Sequence, residues 1–152
     1  MPGAFAGRPV FASPEQFAGV PVDIRSDLYS LGVTLWDMLT GNCPFRGTPG
    51  EVMHQNQHAL LPLERLEDVP QPIVVLLEVL LEKDLSRRFQ SPNEFLKATP
   101  AITGAIDARR RITPETLHRT ASTVSRVFTP HRASHGAKVE LLENQTALPV
   151  KV

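Results

Sequence analysis

The sequence predicts a mainly α protein, and three observations carry that prediction. Apolar residues recur at spacings of three and four. Proline follows Ser or Thr where apolar periodicity resumes, as in Ser13-Pro14, Thr48-Pro49 and Ser91-Pro92. Strand-like alternation is poor throughout.

Each helix has its own start and stop. Ser13-Pro14-Glu15 sets a capping residue before Pro at the first helical position and opens a short helix. Asp23 to Thr40 is longer: Leu28, Leu31, Leu35 and Leu39 make a stripe, and Gly41 supplies the stop. Trp36 and Met38 lie off that stripe, which predicts burial on more than one face. Thr48-Pro49-Gly50-Glu51 opens a third helix, ending near Gln57. Pro62, Pro70 and Pro72 make the next segment a loop. A fourth helix, Ile73 to Lys83, is apolar nearly all round and therefore central. Ser91-Pro92-Asn93-Glu94 has capping-box spacing before Phe95 and Leu96 and gives a fifth.

Composition bounds the function. The 152 residues suit one core. Sixteen basic and sixteen acidic side chains balance, which argues against nucleic acid as a partner. Cys43 is the single cysteine, so no internal disulfide forms, which suits a reducing compartment. No apolar run approaches the roughly 18 residues of a membrane span. The N-terminus has no signal-like pattern, and together these features predict a cytoplasmic chain. The charge is unevenly spread: residues 1–106 carry 8 basic and 12 acidic side chains, and residues 107–138 carry 7 and 2. Leucine-rich runs also stop near Leu96. Residues 1–102 are read as the packed part. Residues 103–152 are read as a basic, Ser/Thr-rich linker or tail, with a short helix at 114–128 presenting Leu117, Ala121, Val124 and Phe128. Within it, Arg109-Arg110-Arg111 is read as solvated linker in preference to an anionic-surface patch.

Four blocks, in order, carry a family resemblance. Gly7-Arg8-Pro9-Val10-Phe11-Ala12-Ser13-Pro14-Glu15 resembles the end of a protein-kinase activation segment. Val22-Asp23-Ile24-Arg25-Ser26-Asp27-Leu28-Tyr29-Ser30-Leu31-Gly32 resembles the start of the central helix of the kinase C-terminal lobe. Leu39-Thr40-Gly41-Asn42-Cys43-Pro44-Phe45-Arg46-Gly47 resembles the turn after it, and Leu81 to Ser91 resembles the closing "L.KDP..RFQS" block. The closest style is the bacterial, eukaryotic-like (Hanks-type) serine/threonine kinase. The resemblance implies a helical C-terminal lobe of the protein-kinase-like fold, without the N-terminal β lobe, in a chain cut within the activation segment.

What the resemblance implies chemically is a fragment. The parent would transfer the ATP γ-phosphate to protein Ser or Thr hydroxyls. Its Gly-rich loop, strand Lys, catalytic Asp and Asn, and metal-binding Asp are absent from these 152 residues. No catalytic, cofactor or metal residue is therefore expected here, and ATP and Mg belong to the full-length parent. The expected partner is a protein: the missing N-terminal half of the kinase or another chain. The alternatives are a stand-alone protein-binding module, a pseudokinase remnant, or a split enzyme.

Individual residues follow from the same resemblance. Gly7, Arg8, Pro9, Val10 and Phe11 match the loop that receives the substrate residue after the phosphoacceptor. Arg8 stands where Ser/Thr kinases usually have Thr, which keeps the pseudokinase alternative open. Glu15 and Arg88 match a buried carboxylate–guanidinium pair, with Arg87 the competing partner one position away. Asp27 matches an acid that braces the catalytic loop, so here it should stand exposed or unsatisfied. His54 and His58, four apart, can share a helix face, but no third metal ligand lies near in sequence.

Overall fold

Capping side chains and prolines start the helices of this chain. The computed structural model describes residues 9–123. Six α-helices follow in order: α1 (Pro14–Ala18), α2 (Ile24–Thr40), α3 (Pro49–His58), α4 (Gln71–Leu80), α5 (Pro92–Asp107) and α6 (Pro114–Thr123). Short 3₁₀ turns occupy Pro9–Phe11, Leu63–Leu66 and Leu85–Arg87, and no strand occurs among the described residues. Asp23 caps α2 by accepting the Arg25 N–H at 2.9 Å. Thr48 and Glu51 close a capping box on α3: the Glu51 carboxylate accepts the Thr48 N–H at 2.7 Å. Gly41 ends α2 in the left-handed region, at φ 74°.

Helix α4 is the centre, as its all-round apolar sequence predicts. Val75, Leu76, Val79 and Leu80 face one core cluster, which holds Leu28, Phe89, Ala98, Ile102, Ala105, Ile112, Leu117 and Ala121. Leu77 joins a second cluster with Tyr29, Val33, Trp36, Leu66 and Leu81. The buried face of α2 differs from the leucine stripe. Leu28, Tyr29, Gly32, Val33 and Trp36 are buried. Leu31 and Leu35 are half-buried, and Met38 and Leu39 are exposed. The reason is the approach of α4. A Cβ on Gly32 would lie 2.8 Å from the Leu80 Cβ, so the glycine decides which face of α2 meets α4.

The packed body continues past residue 102. Ile102 lies inside α5, which continues through the exposed Pro100 to Asp107. After it, α6 buries Leu117 and Ala121 in the first core cluster, together with Ile112 from the turn. An amphipathic helix of this kind cannot leave that face in water without forfeiting its burial. Val124 and Phe128, and the remainder of the helix read at 114–128, lie outside the described residues.

Truncating Leu117 should show that α6 belongs to the core. Leu117→Ala in the whole chain is expected to cost about 2–5 kcal/mol, the range for a buried leucine. A urea midpoint within error of the parent's would place α6 off the body.

Candidate functional site

The site is built where the segment before α1, the start of α2 and the segment after α4 converge. Glu15 sits in the first turn of α1 and is 5% exposed; Arg88 follows the last 3₁₀ turn and is 1% exposed. They form a two-pronged ion pair. Arg88 Nη1 donates to Glu15 Oε1 at 2.8 Å, and Nη2 donates to Oε2 at 2.9 Å. The planar guanidinium fork matches the carboxylate edge, and lysine offers no such match. Arg88 also donates to the carbonyls of Glu82, Arg25 and Lys83, and its head lies 4.8 Å from the Tyr29 ring centre. Ser26 Oγ donates to Glu15 Oε1 at 2.6 Å. Burial alone would raise the Glu15 pKa; hydrogen bonds from Arg88 and Ser26 override it and hold the carboxyl at about 2. Arg87 instead points outward, 3.6 Å from Glu82 on an exposed face.

The segment before α1 is fixed by its backbone. Phe11 O accepts from Ser30 Oγ at 2.8 Å, and Ala12 O accepts from Asn56 Nδ2 at 3.0 Å. The Tyr29 hydroxyl donates to Asn56 Oδ1, so one buried amide joins α2, α3 and this segment. Pro9, Val10 and Phe11 form a 3₁₀ turn with all three half-buried. Gly7 and Arg8 lie outside the described residues.

Lys83 closes the far side. Its Nζ donates to the carbonyls of Gln55 at 3.2 Å and Asn56 at 2.6 Å in the last turns of α3, and it sits 4.8 Å from the Phe45 ring centre. A cation is favoured at that helix end. Burial pulls its pKa down to about 8, with the Arg88 charge acting in the same direction. A cleft of about 450 Å³ opens beside these groups, lined by Pro14, Glu15, Gln57, His58, Lys83 and Leu85 among others.

The sequence reading missed Asn56 and Lys83. Nothing in one sequence separates a buried helical Asn from a surface one, and Lys83 sits in a charged run. Asp27 is exposed and makes no hydrogen bond or ion pair among the described residues. The His54 and His58 rings stand 5.0 Å apart, both exposed. No group of three His, Cys, Asp or Glu that could hold a metal ion occurs among the described residues.

A helical lobe whose loop, first helix and closing segment are clamped by a buried Glu–Arg pair matches what the family resemblance implies for a kinase C-terminal lobe. The chain belongs to the protein kinase domain family, whose model matches residues 2–99. It is 42% identical over 111 residues to the serine/threonine-protein kinase pkn2 of Myxococcus xanthus, covering 70% of this chain and 13% of that protein. A probable serine/threonine-protein kinase of Clostridium acetobutylicum is 37% identical over 89 residues, 57% of this chain and 14% of the relative. Serine/threonine-protein kinase A of Synechocystis is 35% identical over 112 residues, 69% of this chain and 21% of the relative. The chain therefore spans only a small part of the relatives it matches.

Two outcomes follow from the clamp. Arg88→Ala is expected to cost about 3–5 kcal/mol because Glu15 is left buried and unpaired. Arg87→Ala should stay within about 0.5 kcal/mol; equal urea midpoints for the two variants would contradict the geometry. The acid limb has a definite sign. The Glu15 pKa falls from 4.5 unfolded to about 2 folded, so its contribution is fully present above pH 4.5 and is lost as pH falls toward 2. Glu15→Gln should flatten the stability profile in that window.

Proposed function

We propose that this chain forms the peptide-side part of a serine/threonine protein kinase that transfers the ATP γ-phosphate to Ser or Thr hydroxyls. The observation that carries the reading is the anchored turn Pro9–Phe11. The carbonyls at its C-terminal end, Phe11 O and Ala12 O, are tied to Ser30 and Asn56, while Val10 keeps part of its surface in solvent. A substrate residue needs such a rigid, half-open wall. Gly7 and Arg8 complete the loop in this reading.

The residues present do not fit ATP or Mg. The 152 residues carry no Gly-rich loop, no His-Arg-Asp and no Asp-Phe-Gly. The nucleotide and metal are therefore assigned to residues outside this chain, and it is read as inactive alone. The partner is the nucleotide-binding half of the kinase. Support comes from Val20, Val22 and Ile24, which are exposed before and at the start of the helix whose first turn bears Asp27. No helix among the described residues is long and apolar enough to cross a membrane. Cytoplasmic placement belongs to the proposal, because the reaction draws on ATP.

Two measurements test this. The 152-residue chain should show no saturable, magnesium-dependent ATP binding; saturable binding would overturn the assignment. In the full-length protein, Val10→Asp should raise the peptide KM about 10-fold, the scale of one misplaced recognition contact, and leave the ATP KM unchanged. A full-length protein that transfers phosphate only after Arg8→Thr would identify the parent as a pseudokinase.

A further inference from the structure

The turn between α5 and α6 holds a strained, unpaired arginine cluster that the clamp and the substrate loop do not use. Helix α5 ends in a Schellman motif: the Arg110 N–H donates to Ala105 O at 2.8 Å and the Arg109 N–H to Ile106 O at 3.0 Å. The left-handed position of that motif normally takes glycine; here Arg109 takes it, at φ 49°, alone among the non-glycine described residues. Arg109, Arg110 and Arg111 all line one cleft of about 290 Å³, with Pro70, Gln71 and Pro72 opposite. No acidic residue lines it, and no ion pair among the described residues uses any of the three arginines. Asp107, on the preceding turn, is not in the lining.

The electrostatics of the cleft are one-sided. A cation near the end of α5 is ordinary, since it meets the negative pole of that helix. The opposite wall, however, is the first turn of α4, whose pole is positive. Three exposed arginines and the first turn of α4 therefore border one small space, and no acidic residue lines it. The walls cannot swing apart freely. Gln71 Nε2 donates to Ile112 O at 2.9 Å, and Gln71 Oε1 accepts the Ile112 N–H at 3.0 Å, so one side chain bolts the turn to α4.

We propose that this cleft binds a phosphate group of the phosphomonoester or pyrophosphate class. Guanidiniums offer planar, paired donors to phosphate oxygens, and a dianion balances the charge of arginines that line one cleft. The size of the cleft admits one or two phosphates, and the neutral total charge of the chain argues against a polymer of them. The inference is independent of the kinase reading, because it uses none of the residues on which that reading rests.

The test titrates the whole chain with inorganic pyrophosphate by calorimetry, sodium chloride holding ionic strength constant. Saturable binding is expected, weakened at least tenfold in R110Q/R111Q with an unchanged melting temperature. Arg109→Gly separates function from structure. It relieves the left-handed strain, so it should not lower the melting temperature, yet it should still weaken binding. Binding that fails to saturate, or that persists in R110Q/R111Q, would overturn the proposal. Phosphatidylcholine vesicles with and without phosphatidic acid identify the source. Sedimentation with the acidic vesicles that pyrophosphate reverses supports a lipid headgroup in the same cleft, and pyrophosphate binding without sedimentation supports a soluble phosphate. Sedimentation that pyrophosphate does not affect would replace the cleft with a flat membrane contact.

Discussion

Removing Arg88 from water is the constraint around which the site is arranged. A guanidinium 1% exposed carries a desolvation cost of several kcal/mol that only paired, well-aimed acceptors offset. Arg88 has the Glu15 carboxylate on one edge, the Glu82, Lys83 and Arg25 carbonyls around it, and the Tyr29 ring on a face. These partners come from α1, α2 and the segment after α4, so the arginine is satisfied only when all three are docked. The pair adds little net stability over an apolar substitute. What it adds is a penalty on every arrangement in which one of those segments has moved.

The same logic extends outward through neutral groups. Ser26 supplies Glu15 with a hydroxyl from α2, and Asn56 reaches the Ala12 carbonyl while accepting from Tyr29. Lys83 then returns to the last turns of α3. Each link leaves a buried polar group unsatisfied if its partner is removed, a loss of about 1–3 kcal/mol. The turn at Pro9–Phe11 is thus held by polar links from beneath and by Phe11, which packs against the core cluster that contains Tyr29.

Helix starts could be read from the sequence because their determinants are local: Ser13-Pro14, Asp23, Thr48-Pro49 and Ser91-Pro92 act within one turn. The central place of α4 could be read because Ile73 to Leu81 offers little polar surface to water. The buried face of α2 could not, since its leucines and its Tyr29–Val33–Trp36 face are both apolar and only the fit of Gly32 against Leu80 chooses between them. The end of the packed part was obscured by charge. Arg109 to Arg111 suggest a linker, yet Leu117 and Ala121 beyond them join the core. At the site, Glu15 and Arg88 were visible only through the family pattern, 73 residues apart along the chain; Asn56 and Lys83 act through contacts that no spacing announces.

Arginine shows in this one chain how surroundings decide a side chain's use. Arg88 is enclosed, and every direction its guanidinium points holds an acceptor. Arg65 holds the loop after α2: its head donates to the carbonyls of Asn42, Cys43 and Pro44 and lies 5.7 Å from the Trp36 ring centre. Arg109, Arg110 and Arg111 have neither kind of partner among the described residues, and one of them holds a backbone conformation that glycine would take without strain. In the first two cases the protein supplies the negative charge or dipole that the guanidinium needs. In the third, three exposed arginines border one cleft, one of them on a left-handed backbone, and no acidic residue lines that cleft to balance them, which suits a surface completed by something from outside.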